Sequence, residues 1–150
     1  MLSQKEADNL IAMLKELKSK QMKIPFPQPT KELRLDLESS MNKKEKFIID
    51  INRKGQFNLL KCTFQTRYRN SIRLLRIDIE GPPHENPDGT IVECPHIHIY
   101  KEGYELKWAY PLSEIIQTQN DDLIDILIAF LEYNKVKRNG HLFYMEGGLV

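Results

Sequence analysis

The chain has 150 residues, of which 41% are hydrophobic and 29% are charged, which is enough for one domain with its own core. Its 22 Lys and Arg residues are balanced by 21 Asp and Glu residues, so the formal net charge of +1 excludes a polybasic, histone-like protein. No apolar run approaches the roughly 20 residues that span a membrane, and the charged N-terminus lacks the apolar stretch of a signal peptide. Two cysteines are too few for a disulfide framework. We therefore expect a single domain over residues 1–150, located in the cytoplasm and not bound to a membrane.

The chain opens with the pattern of an amphipathic helix. Ser3 and Glu6 have the spacing of a capping box, which satisfies free backbone donors at a helix start. Apolar residues then recur at helical spacing as far as Leu17. Because proline disrupts helix interiors and restricts the residue before it, the predicted helix ends before Pro25. The proline-rich segment 25–29 is predicted to be a stiff connector from helix to sheet.

From residue 33 onward the apolar residues alternate, which predicts strands with one covered and one wet face. The apolar positions of the predicted strands are Leu33, Leu35 and Leu37; Phe47, Ile49 and Ile51; Leu60, Cys62 and Phe64; Leu75, Ile77 and Ile79; Ile97 and Ile99; and Leu106, Trp108 and Tyr110. A helical pattern returns from Asn120 or Asp121. The predicted fold is α+β, an antiparallel sheet of about six strands with an N-terminal and a C-terminal helix packed on one face.

Three of the four histidines lie close together between residues 84 and 98. Because the isoleucines of the strand around them belong to the covered face, the alternation places His96 and His98 on the open face, roughly 7 Å apart. The same argument places Arg76 and Asp78 on that face of the preceding strand. If these two strands pair, the four side chains form one cluster, toward which His84 can fold back from the intervening loop.

Three interpretations of this cluster stay open. Imidazoles beside an arginine could carry out general acid–base chemistry on a phosphodiester, because histidine titrates near neutrality and arginine stabilises negative charge. The His96–His98 pair could instead bind a metal ion, with His84, Asp88 or Glu93 as a further ligand. In the third interpretation the histidines are solvated side chains paired with carboxylates. We prefer the first interpretation, with no metal and no other cofactor.

A basic stretch lies before the histidine segment. Arg67, Arg69 and Arg73 could hold phosphates by charge, and Tyr68 could stack on a base. The same residues are equally typical of an ordinary solvated turn. Their prediction as nucleic-acid-binding residues therefore depends on the preferred, RNA-directed interpretation of the histidine cluster.

The segment around the histidines resembles the core of the TumE-type toxins of bacterial toxin–antitoxin modules. In those toxins an Arg-x-Asp strand leads into a Pro-His-like loop and then into a strand that carries further histidines. The corresponding residues here are Arg76, Asp78, Gly81, Pro82, Pro83, His84, Pro95, His96 and His98. The rest of the chain resembles an uncharacterised family of small proteins carried by phages and mobile elements. The toxin likeness implies an RNA-directed growth inhibitor that a cognate antitoxin holds in check.

Our leading hypothesis is a toxin-like protein directed at RNA, in its enzymatic form a metal-independent ribonuclease. His96 and His98 are the predicted acid–base pair. Asp78 orients a histidine, Arg76 or Arg73 contacts phosphate, and His84 completes the site. The alternative is a non-enzymatic phage or mobile-element protein that inhibits a host defence complex, as anti-CRISPR proteins do. The sequence is also compatible with a homodimer in which a second copy covers the wet sheet face.

Overall fold

The computed structural model describes residues 1–55 and 60–146. The helices in these ranges are α1 (Gln4–Ala12), α2 (Leu112–Ile115) and α3 (Leu123–Tyr133). The strands are β1 (Lys15–Leu17), β2 (Lys23–Phe26), β3 (Glu32–Ser39), β4 (Lys46–Asn52), β5 (Thr63–Tyr68), β6 (Ile72–Asp78), β7 (His84–Glu85), β8 (Ile91–Val92), β9 (His96–Ile99), β10 (Ala109–Pro111), β11 (Val136–Lys137) and β12 (Leu142–Met145). No helix within the described ranges is long and apolar enough to cross a membrane.

Eight of the described strands form one mixed sheet in the order β10-β9-β6-β5-β4-β3-β1-β11. The strands predicted from the alternation correspond to β3, β4, β5, β6, β9 and β10, which lie side by side and pair antiparallel. The α+β class is confirmed, but the predicted sheet is incomplete because β1 and β11 extend one edge and pair in parallel. Within the described ranges there are also two small two-stranded sheets, β12 with β2 and β7 with β8.

One face of the large sheet carries the core. The register sets apolar residues of neighbouring strands opposite one another, as with Leu35 and Ile49. The ring of Phe64 on β5 lies 6.0 Å from the ring of Phe130 on α3. Helix α1 contributes Ala7 to the same core. Both predicted helices therefore pack into this core, where burial of apolar surface holds them on the sheet.

The N-terminal helix is shorter than predicted. It begins at the expected capping box, where Ser3 and Glu6 exchange side-chain-to-backbone hydrogen bonds of 3.1 and 2.9 Å. It ends at Ala12, and Leu14, which fits the helical spacing, is 45% exposed. The predicted connector is also wrong in part, because Pro25 lies inside β2, which pairs in parallel with β12.

A buried lysine explains why the first helix ends early. The Nζ atom of Lys15, on β1, donates to the backbone carbonyl oxygens of Ile11 at 2.9 Å, Met13 at 3.0 Å and Asn134 at 2.7 Å. These carbonyls lie at the C-terminal ends of α1 and α3, where helices leave acceptors unsatisfied and the helix dipole is negative. Burial lowers the pKa of Lys15 to about 7, so that above this pH the neutral amine has two N–H donors left for the three carbonyls. One side chain therefore caps two helices.

Candidate active site

The pairing of β6 with β9 brings the predicted cluster together. Arg76 lies opposite His98 and Asp78 lies opposite His96 in the antiparallel register. Residues directly opposite in such a pair project from the same face, so the four side chains are neighbours. The face assigned from the alternation is the one that the structure has, opposite the apolar core.

This part of the sheet face is covered, which corrects the predicted exposure of the two histidines. His96 and His98 are each only 1% exposed. Segment 80–95, which we call the roof, folds back over them and includes the β7–β8 hairpin. The backbone of Val92 and the side chain of His84 in the roof both contact this cluster. The loop between β6 and β9 is long enough to return over its own strands, and alternation along a strand carries no information about that.

The carboxylate of Asp78 is the centre of the cluster. Its Oδ1 accepts from Nε of Arg76 at 2.8 Å, and its Oδ2 accepts from Nη2 of the same guanidinium at 3.0 Å. The Nε2 atoms of His96 and His98 lie 3.0 and 3.3 Å from that Oδ2. Burial alone would raise the pKa of Asp78, but the hydrogen bonds from His98 and Arg76 outweigh it and hold the pKa well below its usual range. Asp78 is therefore an ionised anchor for its neighbours.

Backbone carbonyls fix the protons of both buried rings. The Nδ1 atom of His96 lies 3.2 Å from the carbonyl oxygen of Val92, and Nδ1 of His98 lies 2.7 Å from that of Leu106. Because a carbonyl oxygen only accepts, each Nδ1 carries a proton and donates it. Both Nε2 atoms consequently face the central carboxylate. The Nη2 atom of Arg76 also lies 3.1 Å from Nε2 of His98.

A third imidazole comes from the roof. The ring of His84 stands edge-on to that of His98 with centroids 4.6 Å apart, and 6.0 Å from the ring of His96. Its Nε2 donates to the carbonyl of Lys107 at 2.8 Å, while its Nδ1 has no hydrogen-bond partner among the described residues. The three rings border a pocket of about 380 Å³ that Lys61 also lines. We call it the histidine pocket.

Asp78 and the two buried histidines also place potential metal-ligand atoms within 4.8 Å of one another. However, the guanidinium of Arg76 already contacts Oδ2 of Asp78 and Nε2 of His98. The permanent positive charge of this guanidinium, next to both atoms, opposes the binding of a metal cation there. Asp88, considered as a further ligand, instead accepts from the backbone N–H of Thr90 in its own turn at 3.0 Å. The arrangement fits acid–base chemistry better than metal coordination.

Sequence reasoning missed the residue that fastens the roof to the sheet. The side chain of Asn86 donates through Nδ2 to the carbonyl of Ala109 at 3.0 Å and accepts from the N–H of the same residue at 2.8 Å. Its side chain is buried, and it joins the β7–β8 turn to strand β10. The Asn-Pro-Asp-Gly sequence signals a turn but not the strand to which the turn is bonded.

Asn86→Ala is expected to destabilise the protein by about 2 kcal/mol, because it leaves both backbone groups of Ala109 without their buried partner. Urea-induced unfolding measures the loss, and hydrogen exchange at the Ala109 amide should accelerate in the same variant. The matched control is Asn70→Ala, whose side chain is exposed. Equal stability of the two variants would contradict the fastening role of Asn86.

One of the predicted nucleic-acid contacts is wrong. The ring of Tyr68 packs 5.4 Å from that of Phe47 in the core, and its hydroxyl donates to Oε2 of Glu45 at 2.5 Å. The side chain is only 7% exposed. Tyr68 cannot stack on a base, because β5 turns it to the apolar face of the sheet.

The three arginines of the same stretch differ in their surroundings. Arg67 is half-buried and bonded to Asp50, with Nε to Oδ2 at 2.7 Å and Nη2 to Oδ1 at 2.9 Å. Arg69 and Arg73 are exposed. Arg67 therefore serves the sheet through a structural ion pair, whereas Arg69 and Arg73 are available to a ligand.

Comparison with known proteins places the chain in a family. The model of a family of unknown function, DUF6978, matches residues 2–136. The chain belongs to this family. None of the curated proteins and none of the solved structures matches it. The DUF6978 match agrees with the expected likeness to an uncharacterised family, and it spans the whole histidine pocket. The finer likeness to TumE-type toxins is not part of this match.

Proposed function

We propose that this protein is a metal-independent ribonuclease of toxin-like action, and that its reaction takes place in the histidine pocket. The observation that carries the proposal is the convergence of three imidazoles, with ring centroids 4.6 to 6.0 Å apart, beside the guanidinium of Arg76. Imidazole accepts and donates protons near neutral pH, and guanidinium stabilises charge on a phosphate. Lys61 adds a further positive charge to the lining.

RNA supplies its own nucleophile in this reaction. The 2′-hydroxyl oxygen attacks the adjacent phosphorus while the bond from phosphorus to the 5′ oxygen breaks, which gives a cyclic phosphate and a free 5′-hydroxyl. In this proposal Nδ1 of His84, which has no protein partner among the described residues, accepts the proton of the 2′-hydroxyl group. His98, which lines the histidine pocket, gives its Nε2 proton to the leaving 5′ oxygen; in this doubly protonated form Nε2 only donates, so Arg76 turns its Nη2 from that nitrogen toward the phosphate. Asp78, 3.3 Å from that nitrogen, stabilises the charged ring, and Arg76 stabilises the charge on the phosphate.

This assignment differs in one member from the acid–base pair expected from the sequence. His96 and His98 are equally buried and both have their two nitrogens engaged, but Nε2 of His96 lies closer to Oδ2 of Asp78, at 3.0 Å against 3.3 Å for His98. We therefore place His96 as a positioning residue that holds the carboxylate, and His84 takes its place at the substrate. The ring of His84 is partly exposed and can contact a substrate, which supports its assignment as general base in place of His96.

The test uses the purified full chain and a labelled single-stranded RNA, beside the same oligonucleotide with 2′-O-methyl groups. We expect cleavage of the RNA alone, with cyclic phosphate and 5′-hydroxyl ends, at a rate that EDTA does not change. The His96→Ala, His98→Ala double variant should be inactive. Cleavage of the 2′-O-methyl strand, or no cleavage of any RNA by the folded wild type, would overturn the proposal.

A metal-dependent enzyme is the second candidate, and one specific observation favours it. Carbonyl hydrogen bonds to the Nδ1 atoms of His96 and His98 are the kind of outer contact that orients metal-ligating histidines. In this case EDTA would abolish cleavage in the same experiment. Elemental analysis of the purified protein would then find about one transition-metal ion per chain. Arg76 would have to leave Oδ2 of Asp78 to admit the ion.

The partners in this proposal are RNA and a cognate antitoxin protein. The proposed location is the cytoplasm, because the protein would encounter cellular RNA there. Both cysteines are free thiols, consistent with a reducing compartment. A protein that instead inhibits a host defence complex would dock through the polar sheet face and would cleave no RNA. The cleavage assay separates the two accounts.

A further inference from the structure

A second concave site lies on the polar face of the sheet over β3 and β4, away from the histidine pocket on β6 and β9. Its volume is about 680 Å³. The charged residues that line it are Lys18, Arg34, Lys44, Lys46, Arg69 and Asp36. We call this site the cationic cleft. It combines residues of β3 and β4 with the turns that precede β4 and follow β5.

Positive charge is concentrated there beyond what the composition suggests. The lining has an excess of four positive charges, whereas the formal net charge of the whole chain is +1. Lys18 and Lys46 share the buried carboxylate of Glu38, at 3.3 and 2.9 Å. Lys44 and Arg69 have no carboxylate partner among the described residues, and both are exposed. A local excess of this kind attracts a polyanion, because several phosphates can replace bound counterions at once.

The sheet register connects the cleft to the histidine pocket. Arg34, Asp50, Gln65, Arg76 and His98 lie opposite one another on successive strands, so they form one row across the polar face. Four strand spacings separate the ends of the row, which is about 19 Å. A single strand of about four or more nucleotides reaches across this distance.

We propose that the cationic cleft anchors the phosphate backbone of a single-stranded RNA whose scissile bond lies in the histidine pocket. The proposal rests on the proposed function for the identity of the ligand. The cationic cleft is a second binding site that recognises the charge of the phosphate backbone and not the base sequence. RNA too short to span the two sites loses the contribution of the cleft.

Binding is measured with a fluorescent 2′-O-methyl RNA of twelve nucleotides, which the proposed reaction cannot cleave, so that binding is separated from catalysis. The test variant is Lys44→Gln, Arg69→Gln, and the matched control is Lys5→Gln, Lys20→Gln, which removes the same charge from two exposed lysines elsewhere. At low salt we expect the test variant to bind at least tenfold more weakly and the control to bind within threefold of wild type. The slope of log K against log salt should fall by about 1.4 in the test variant only.

Three results would overturn the proposal. The first is equal weakening of binding in the two double variants, and the second is undiminished binding of a three-nucleotide RNA. The third is displacement of the twelve-nucleotide RNA by inorganic tripolyphosphate at equal phosphate concentration, which would make the cleft a site for small polyphosphates. Failure of the proposed reaction leaves a different signature, because RNA would then bind with the expected dependence on Lys44 and Arg69 but stay uncleaved.

Discussion

Replacing Lys15 by Met is expected to lower the free energy of unfolding by about 3 kcal/mol. The variant keeps an unbranched side chain but leaves the carbonyl oxygens of Ile11, Met13 and Asn134 without their common donor. Each buried acceptor that loses its partner costs about 1–3 kcal/mol, and removal of the buried charge offsets part of the total. Urea-induced unfolding followed by circular dichroism measures the difference.

The dependence of stability on pH gives a second measurement of the same role. Because burial lowers the pKa of Lys15 to about 7, the unfolded chain retains a proton that the folded chain has released between pH 7 and the ordinary lysine value of 10.5. The unfolding free energy of the wild type therefore increases as the pH rises through that range. The Met variant has no titrating group at this position, so its unfolding free energy lacks this increase. The difference in stability between the two proteins should therefore widen with pH.

Lys18→Met is the matched control for this prediction. The Lys18 side chain is 45% exposed and pairs with Glu38 alongside two other lysines, so its loss should change the unfolding free energy by less than about 1 kcal/mol. Equal stability of the two variants would show that Lys15 does not cap the helices. A stability difference that is constant from pH 7 to 10.5 would contradict its release of a proton on folding.

The strand pattern could be predicted because each strand has one apolar and one polar face. The alternation around Phe47, Ile49 and Phe64 fixes which residues enter the core, and the structure agrees. The same parity correctly groups Arg76 with His98. A short strand contains too few residues for such a pattern. β11, with only two residues, is paired through the backbone of β1 and could not be identified in this way.

Long-range contacts account for what sequence reasoning missed. The apolar spacing of α1 continues beyond its true end, and only the carbonyl of Asn134, far along the chain, shows why Lys15 leaves the helix. Likewise Asn86 has no local signal for its bond to Ala109. The burial of His98 depends on the path of a loop. In each case the decisive partner is distant in sequence, so periodicity and capping patterns contain no trace of it.

The site combines a rigid inner array that lines the histidine pocket with one partly exposed ring, that of His84. His96 and His98 have both nitrogens within hydrogen-bond distance of a partner, and Asp78 links them to Arg76. Groups held this firmly are already in position for chemistry, so little reorganisation is needed when substrate binds. His84 comes from a separate element, the roof, and its Nδ1 has no hydrogen-bond partner among the described residues. Its substitution therefore tests function with little disturbance of the structure.

His84→Ala is expected to reduce the rate of RNA cleavage by about 10²- to 10⁴-fold, the usual contribution of a general base. The unfolding free energy of this variant should stay within about 1 kcal/mol of wild type, because the ring is partly exposed and makes one hydrogen bond within the described residues, to Lys107. The loss should appear in kcat, with KM little changed, since in the proposed reaction the phosphates are bound by Arg76, Lys61 and the cationic cleft and not by His84. Single-turnover cleavage of labelled RNA measures the rate, and denaturant unfolding measures the stability.

His141→Ala is the matched control, because His141 is buried and bonded to the carbonyls of Arg138 and Ser19, and it does not line the histidine pocket. It should lose stability and keep the cleavage rate at temperatures where it is folded, the reverse of His84→Ala. A His84→Ala variant that cleaves RNA at the wild-type rate would remove His84 from the reaction. Since Nε2 of His96 faces Asp78 at 3.0 Å, the chain would then need a proton acceptor outside the three rings.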